Sequence, residues 1–521
     1  MRPRADGGRS PAPGERSEAP ARARPDNILP LYADYADDAP AVPRSGPGDR
    51  VRTHGTARSG QGAAGPPRSR DPAGGSVAGR RAAPEPVGPA EKADRPIRPG
   101  TRAARMVSTV PPHATSPRRP MLSPDSAAVV RATLPAVGGA LGEITARFYG
   151  TMFAEQPDLL DGLFNRGNQA TGGQRRALAG SIAAFAQALL ADPENRPDVL
   201  LSRIAHKHAA LGVTEDQYTI VHKYLFRAIA EVLGEAVTPQ VAAAWDEVYW
   251  LMAGALIAQE ARLYQQAQVD PRNPWRKWTV VERREETPDV VSFLLRPADE
   301  DPVPPARAGQ YVSVRVRMPD GVHQVRQYSL SGAPGGRLRR VTVKRVASLS
   351  DAPEGEVSNQ LHRTVGAGDA LTLSAPFGDV VLDEADSPLL LVSAGIGCTP
   401  MVGMLEHLAA TGATRPVTVL HADRSPADHA LRSDTRRLVG RLPAARAEFW
   451  YEQNAAAEPG AHCGLMDLRE LELPDGTDVY LCGSLPFMRA VRAQLLDSGV
   501  PARHIRYEVF GPDLWLAHTE G

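Results

Sequence analysis

The sequence has little cysteine and no long apolar run, and each shortage excludes a class of protein. Its 521 residues include three cysteines, Cys398, Cys463 and Cys482, which are too few for a disulfide framework and suit a reducing cytoplasm. No run of about 18 consecutive apolar residues occurs, so we expect no membrane span. We also expect no secretory signal, because no apolar core follows the first arginines. The composition therefore predicts a cytoplasmic protein.

The chain also lacks net charge, because Lys+Arg and Asp+Glu both total 60. That balance hides an uneven distribution. Residues 1–120 hold 21 basic and 12 acidic side chains, which leaves 39 basic and 48 acidic side chains in residues 121–521. The larger part is therefore acidic, with a net charge of −9, and this argues against nucleic acid as a partner.

Aromatic residues are nearly absent from residues 1–120, which are rich in Pro, Gly, Ala, Arg and Ser. Such a segment cannot bury enough apolar surface to offset its chain entropy, so we predict a disordered tail. Two alternatives stay open: a basic arm that binds an anionic surface, and an upstream region translated ahead of a natural start at Met121. The whole length predicts about three domains of roughly 150 residues each.

Hydrophobic periodicity changes along the rest of the chain. From residue 121 to about 264 apolar residues recur at helical spacing, as in Ile182, Phe185 and Leu189. Residues 311–316 and 325–330 alternate instead, which predicts strands of an antiparallel sheet with one buried face. Residues 389–392 form a short continuous apolar run typical of a buried parallel strand, and residues 401–408 then indicate a helix.

Two motifs in the second half suit a nucleotide-binding protein. Arg326-Gln327-Tyr328-Ser329 lies at a strand end, where an Arg and a Ser can hold a diphosphate and a Tyr can lie against a flat ring. Gly395-Ile396-Gly397-Cys398-Thr399-Pro400 lies between the apolar strand and the helix. This order of strand, glycine turn and helix directs backbone N–H groups at a phosphate.

In this order, and with Phe510-Gly511-Pro512 near the end of the chain, these motifs resemble the ferredoxin–NADP reductase family. The helical region resembles a bacterial globin through Phe148-Tyr149, Gln174-Arg175, His206-Lys207-His208, Gln217-Tyr218 and Glu260-Ala261. A globin ahead of such a reductase is similar to the flavohaemoglobins. The resemblance implies a disordered tail (1–120), an all-α globin (121–265), an antiparallel β-barrel FAD domain (272–382) and an α/β parallel-sheet NAD(P) domain (386–516).

The globin resemblance implies a haem b site. His206 and His208 point roughly 200° apart on a helix, so only one can face the haem. His208 matches the axial ligand, and we expect His206 to be solvated. Tyr218 and Glu260 match the residues behind the ligand, and Tyr149 and Gln174 match the distal side. Leu178 and Phe164 match apolar haem contacts, with ordinary core packing as the alternative. The Cys-x-x-Cys-His pattern is absent, so any haem is held non-covalently.

The reductase resemblance implies FAD and NAD(P)H as cofactors. Its implied contacts are Tyr311, Arg326, Gln327, Tyr328, Ser329, Val357, Ser358, Gly395, Ile396, Gly397, Cys398, Thr399, Pro400, Val509, Phe510, Gly511 and Pro512. Val357 and Ser358 match a turn that meets the FAD diphosphate. Three departures stand out: Cys398 replaces a frequent Gln, Val509 replaces a frequent Cys, and Ser484-Leu485-Pro486 replaces a usual Gly-Pro continuation. The choice between NADH and NADPH stays open.

The combined resemblance implies a nitric oxide dioxygenase that converts nitric oxide and dioxygen to nitrate. Electrons would pass from NAD(P)H through FAD to haem, because a flavin can accept a hydride and release single electrons. The alternatives are a flavin-driven reductase of haem-bound peroxides or external acceptors, and a haem gas sensor or oxygen carrier. We expect a monomer whose partners are nitric oxide, dioxygen and NAD(P)H.

Overall fold

The computed structural model describes residues 120–157, 173–332, 336–348 and 354–511. The side chains of residues 174–177, 179 and 199 are not described within these ranges. The predictions for the tail, for Phe164, for Pro512 and for the Gln174 side chain therefore lie outside the described residues.

Five helices make up the N-terminal part of the described chain: α1 (Pro124–Glu155), α2 (Gly173–Ala191), α3 (Asp198–Leu211), α4 (Glu215–Leu233) and α5 (Pro239–Ala267). Side-chain caps define several of their starts. Ser123 and Thr238 accept backbone N–H bonds ahead of α1 and α5, and a proline follows each cap. Gly212 ends α3 in the left-handed conformation, which glycine adopts at little cost.

The helices pack around one apolar core. α1 contacts α2, α4 and α5, and α3 lies against α5. Phe185 and Leu189 are fully buried on α2, and Ile182 is half-buried beside them, as their helical spacing predicts. The all-helical prediction for this region is confirmed.

Two of these helices, α1 and α5, are long and apolar enough to cross a membrane by length and composition alone. Neither helix contains a continuous apolar run of this length, because polar residues interrupt both. Their buried residues, among them Val130, Val137, Trp245 and Val248, pack together in the helical core. Core helices pass the same test, so the absence of a membrane span stays a prediction.

The middle of the chain folds into an antiparallel sheet of six strands: β1 (Arg276–Thr287), β2 (Val290–Pro297), β3 (Tyr311–Arg317), β4 (His323–Ser329), β5 (Arg339–Lys344) and β6 (Ala370–Leu373). Their order is β4-β3-β6-β1-β2-β5, and a bridge between Leu330 and Val341 joins the two ends. A helix, α6 (Glu356–Thr364), packs against β4 and β5. The predicted antiparallel barrel is confirmed.

The expectation of one buried face is wrong for β3. Tyr311, Val312, Ser313 and Val314 are all buried, so both faces of this strand are covered. One face belongs to the barrel core, and α3 of the helical region packs against the strand. The covering element lies about a hundred residues away in sequence, and strand periodicity alone does not reveal it.

The C-terminal part is a parallel sheet with the order β10-β9-β8-β7-β11-β12. Its strands are β7 (Leu389–Ala394), β8 (Val417–Asp423), β9 (Ala445–Tyr451), β10 (His462–Cys463), β11 (Asp478–Cys482) and β12 (Ile505–Glu508), and its helices are α7 (Cys398–Thr411), α8 (Arg432–Val439) and α9 (Leu485–Asp497). Every residue of β7 is buried, which confirms the predicted central parallel strand. Gly403 lets α7 approach the barrel, since an added Cβ would lie 2.3 Å from the carbonyl oxygen of Leu330.

Candidate active site

A hydrogen-bonded triad of His208, Tyr218 and Glu260 lies at the centre of the helical region. The imidazole Nδ1 of His208 lies 2.8 Å from Glu260 Oε1 and 2.9 Å from the Tyr218 hydroxyl. The Tyr218 hydroxyl donates to the same Glu260 oxygen over 2.6 Å. The three side chains come from α3, α4 and α5, so the sequence prediction correctly brings together residues 52 positions apart.

The burial of Glu260, which is 3% exposed, explains why this geometry is fixed. A buried carboxylate needs hydrogen-bond donors, and here it has a phenol and an imidazole N–H. Burial, reinforced by the negative charge of Glu260, raises the pKa of Tyr218 well above its usual value, so the phenol stays protonated and can donate. Both contacts to His208 use Nδ1, which leaves Nε2 available as a ligand atom.

The described residues fit a haem better than a metal ion bound by protein alone. Among them, no group of three or more His, Cys, Asp or Glu side chains could hold a metal. His208 has the oriented imidazole that an axial haem ligand requires, because a partner on the other ring nitrogen fixes its tautomer. One oriented histidine suits a metal whose other ligands come from a prosthetic group.

Tyr149 lies in a second apolar cluster with Phe148, Met152 and Leu178. Its ring centroid is 4.6 Å from that of Phe148, and burial raises the pKa of its phenol well above the usual value. Tyr149 is therefore a neutral hydrogen-bond donor in an apolar setting. Gln174 lies in the first turn of α2.

His206 is half-buried and contacts the reductase, so the expectation of a solvated side chain is wrong. Its Nδ1 accepts a 2.9 Å hydrogen bond from the backbone N–H of Gly378, which belongs to the loop after β6. Burial lowers the pKa of His206, although the charge of Asp379 opposes this effect. The sequence prediction considered only the haem side of the helix and overlooked its opposite face.

The pleat of the β3–β4 pair separates the residues of the first reductase motif. Val312 pairs with Tyr328 and Tyr311 pairs with Ser329, so Arg326 and Tyr328 share one face while Ser329 shares the other with Tyr311. Arg326 and Ser329 thus lie on opposite faces of β4, although the sequence analysis assigned both to a diphosphate. Gln327 is exposed.

Two observations show that this region fits an anionic ligand with a hydrogen-bonding ring. The Ser329 hydroxyl is buried without a hydrogen-bond partner among the described residues. Arg326 donates hydrogen bonds to Gln324 and to the Val325 carbonyl, and burial lowers its pKa although the nearby Tyr328 and Glu356 oppose this effect. A half-buried guanidinium and an orphaned hydroxyl are the groups that a flavin nucleotide could satisfy.

Val357 and Ser358 begin helix α6 rather than forming a turn. The Ser358 hydroxyl donates to Gly355 O over 3.1 Å and accepts from Val346 N over 3.2 Å, so the local fold already uses it. The backbone N–H groups of this first turn have no side-chain cap and lie beside β4. They are the better candidates for a diphosphate contact.

The glycine-rich segment after β7 adopts a short 3₁₀ turn, Gly395–Gly397, that leads into α7. Gly397 must be glycine, because an added Cβ would lie 2.4 Å from the carbonyl oxygen of Cys482 on β11. Gly395 has φ +52° and nothing within 4 Å of its Cβ position, so it leaves open space above the turn. Thr399 bonds back to the Ile396 carbonyl, and Pro400 is buried.

Several predicted contacts instead belong to the core of this domain. Cys398 and Cys482 are both buried in one apolar cluster, and burial raises the pKa of both thiols, so neither is a reactive thiolate. Val509 is also a core residue, so only its backbone could meet a ligand. Phe510 is half-buried, and Gly511 is exposed with its carbonyl 3.3 Å from Lys207 Nζ. Ser484 caps α9, which accounts for that departure.

Comparison with known proteins agrees with this arrangement. A family profile described as Globin matches residues 146–256, and one described as Oxidoreductase NAD-binding domain matches residues 391–493. The chain is 42% identical over 408 residues to a flavohemoprotein of Bordetella pertussis, which covers 75% of this chain and 99% of that protein. It is 36% identical over 411 residues to a flavohemoprotein of Bacillus subtilis, covering 77% and 100%.

This chain belongs to the flavohaemoprotein family. A crystal structure of a flavohemoglobin from Malassezia yamatoensis with bound FAD and heme aligns with a TM-score of 0.69 at 41% identity, covering 75% of this chain and 100% of that one. The predicted fold class and the cofactor set of haem, FAD and NAD are confirmed. The individual site residues and the domain bounds stay predictions.

The sequence prediction for this flavohaemoprotein missed the contacts between its globin and reductase parts. Arg203 and His206 of α3 touch Gly378, Asp379 and Tyr507 of the reductase. The spacing of Arg203 and His206 could have indicated these contacts, because residues three positions apart share one face of the helix that carries His208.

Substitution separates the roles of the two histidines. In His208→Ala we expect loss of haem, because the imidazole that Glu260 and Tyr218 orient is the proposed ligand. In His206→Asn we expect full haem content, since this side chain faces the reductase. The measurement is the Soret absorbance per protein after haem supplementation. Equal haem loss in both variants would contradict the assignment of His208 as the ligand.

Arg326→Ala should reduce FAD retention while haem content stays unchanged. A charge-assisted contact contributes roughly 1.5–3 kcal/mol, so we expect affinity for FAD to fall by about tenfold or more. Ser358→Ala is the matched control, because its hydroxyl is already used within the protein. FAD titration of the deflavinated protein measures both. Equal affinity in wild type and Arg326→Ala would remove Arg326 from the flavin site.

Proposed function

We propose that this flavohaemoprotein oxidises nitric oxide to nitrate with dioxygen, using NAD(P)H as the electron source. The observation that supports this proposal most is the Glu260 carboxylate behind His208, which lies within hydrogen-bond distance of both His208 Nδ1 and the Tyr218 hydroxyl. A carboxylate on the ligand imidazole suits oxygen activation rather than oxygen storage. When bound, FAD converts the two-electron hydride into single electrons and haem supplies an iron that accepts them one at a time.

The role of Glu260 and Tyr218 is to hold the proton on His208 Nδ1. A proton shared with a buried carboxylate gives the imidazole partial negative character, which makes it a stronger electron donor as a ligand. Tyr218 fixes the same carboxylate oxygen and prevents it from rotating away. These two side chains act through His208 and are positioning residues.

Tyr149 is the proposed donor on the other side. A buried phenol with a raised pKa donates a hydrogen bond without losing its proton. Such a donor stabilises dioxygen most when negative charge develops on it, because an apolar setting strengthens that interaction. Leu178, in the same cluster, helps to exclude water.

The reductase residues hold the nucleotides in this proposal. Arg326 and the first turn of α6 supply positive charge and N–H donors for the FAD diphosphate, Ser329 and Tyr311 face its ring, and Phe510 covers it. The 3₁₀ turn at Gly395 receives NAD(P)H. We further propose a cytoplasmic monomer.

Two other functions remain as alternatives: a flavin-driven reductase of haem-bound peroxides or external acceptors, and a haem gas sensor or oxygen carrier. The half-buried Arg326 and the Ser329 hydroxyl, which is buried without a partner among the described residues, weigh against a sensor or carrier, which has no use for a flavin. The peroxide reductase needs the same reductase, so product analysis must separate it from the dioxygenase.

The direct test supplies nitric oxide, dioxygen and NADH to the full chain loaded with haem and FAD. The proposal predicts that nitric oxide disappears, that an equal amount of nitrate forms, and that removal of any one reactant stops the reaction. NADH oxidation without nitrate, together with reduction of an added peroxide, would favour the alternative reductase.

Tyr149→Phe tests the distal donor. Loss of one such bond should speed dioxygen dissociation by about tenfold or more, if the bond contributes roughly 1.5–3 kcal/mol. Flavin reduction by NADH should be unchanged, because it occurs in another domain. Stopped-flow absorbance measures both. Tyr224→Phe is the matched control, since that phenol lies in the same cluster but bonds to Glu155. An unchanged dissociation rate in Tyr149→Phe would remove it from the distal pocket.

A further inference from the structure

Helix α3 has a second functional face besides the one that carries His208. Arg203, His206 and Ala210 follow helical spacing and so share a face. At about 100° per residue, His208 points roughly 170° away from the centre of that face. One short helix therefore presents the candidate haem ligand on one side and a different set of side chains on the other.

Arg203 makes three contacts with the reductase. Its Nε lies 3.5 Å from Asp379 Oδ2, its Nη2 donates to the Tyr507 carbonyl over 3.1 Å, and its guanidinium lies 4.6 Å above the Tyr507 ring centroid. Both side chains of the ion pair are largely buried, with 14% and 19% exposure. Contacts of this kind are screened little by salt and are lost together when the guanidinium is removed.

His206 makes the fourth contact, to a backbone group. Its Nδ1 accepts from the N–H of Gly378, a buried residue at φ +129° that other residue types rarely adopt. No other acceptor for this N–H occurs among the described residues. The hydrogen bond therefore ties the helix to the backbone of this loop.

The loop held in this way leads directly to the flavin candidates. Phe377 exchanges two backbone hydrogen bonds with Tyr311, at 2.8 and 2.9 Å. Gly378 lies against the Tyr311 ring, since its Cβ position is 3.2 Å from two ring atoms. Ala209 and Ala210 of α3 pack with Tyr311 and Phe377 in one buried cluster. The contacts from His208 to the flavin strand are thus continuous through one helix and one loop.

We propose that Arg203 and His206 are positioning residues that hold the haem-bearing helix on the flavin loop and so set the rate of electron transfer from flavin to haem. The inference rests on the proposed function, because it requires electrons to pass between the two cofactors. Neither residue contacts the reacting atoms. Their substitution should leave each domain intact and change only how the two domains meet.

The variants are Arg203→Ala, His206→Leu and the two combined, in the full chain with haem and FAD bound. His206→Asn is the matched control, since its Oδ1 can replace Nδ1 as the acceptor. Arg227→Ala is the second control, because the partners of this exposed arginine among the described residues are Glu155 and Glu231 of the globin part. Hydrogen–deuterium exchange of a peptide spanning residues 375–381 reports the Gly378 contact whether or not electrons flow.

Stopped-flow mixing with NADH separates flavin reduction from haem reduction. We expect the haem phase to slow by about tenfold or more in the combined variant, while flavin reduction and both cofactor contents stay unchanged. Exchange near Gly378 should speed up in His206→Leu and match wild type in His206→Asn. Should the combined variant not fold, the His206→Leu and His206→Asn pair gives the same comparison.

If hydrogen–deuterium exchange of residues 375–381 in His206→Leu equals that of wild type, the contact between His206 and Gly378 is refuted. If the rate of haem reduction in the combined variant equals that of wild type, the role of this contact in electron transfer is refuted. If NADH reduces the flavin but never the haem of wild type, the proposed function fails instead, and the exchange result still decides the contact.

Discussion

The buried carboxylate of Glu260 is the interaction on which the haem side of this flavohaemoprotein depends. An isolated buried carboxylate would be strongly unfavourable, and here a phenol and an imidazole, each from a different helix, satisfy it. The same contacts join α3, α4 and α5 and orient His208. One atom, Glu260 Oε1, therefore both holds the three helices together and orients His208. Removal of either donor would leave this buried carboxylate with too few hydrogen bonds.

A second constraint comes from α3, which contacts both the candidate haem triad and the reductase loop. On one face of this helix His208 must reach Tyr218 and Glu260, and on the other face Arg203 and His206 must reach the loop at Gly378. Since the helix is rigid over its 14 residues, the two requirements fix the distance between the globin and the flavin strand. This explains why β3 is buried on both faces, although it belongs to an antiparallel barrel that would otherwise be covered on one.

Much of the fold could be predicted from the sequence, because its signals are local. The spacing of four residues between the buried Phe185 and Leu189 indicates a helix. The continuous apolar run at residues 389–392 indicates a buried strand, and the glycine turn follows that strand as expected. The candidate haem triad was predicted from family resemblance rather than from spacing, and the geometry brings its members together. The resemblance therefore supplied information that local periodicity lacks.

Most of the errors share one physical cause, which is contact between distant parts of the chain. His206 was expected in solvent because its partner, Gly378, lies 172 residues away. Val509 was expected at the cofactor but belongs to the core behind β12. One error has a local cause instead, because Arg326 and Ser329 were grouped by their closeness in sequence whereas the pleat of the strand places them on opposite faces. Local patterns define elements, but they do not define which faces those elements present to each other.

The most direct test of the central claim is the iron–histidine stretching frequency of the reduced, haem-loaded protein in Glu260→Gln, measured by resonance Raman spectroscopy. A neutral amide cannot draw the Nδ1 proton as a carboxylate does, so the account predicts a clearly lower frequency than in wild type. Glu155→Gln, which changes an exposed carboxylate on α1, should leave the frequency unchanged. An identical frequency in Glu260→Gln and wild type, with haem fully bound, would contradict the claim that Glu260 controls the electronic character of His208.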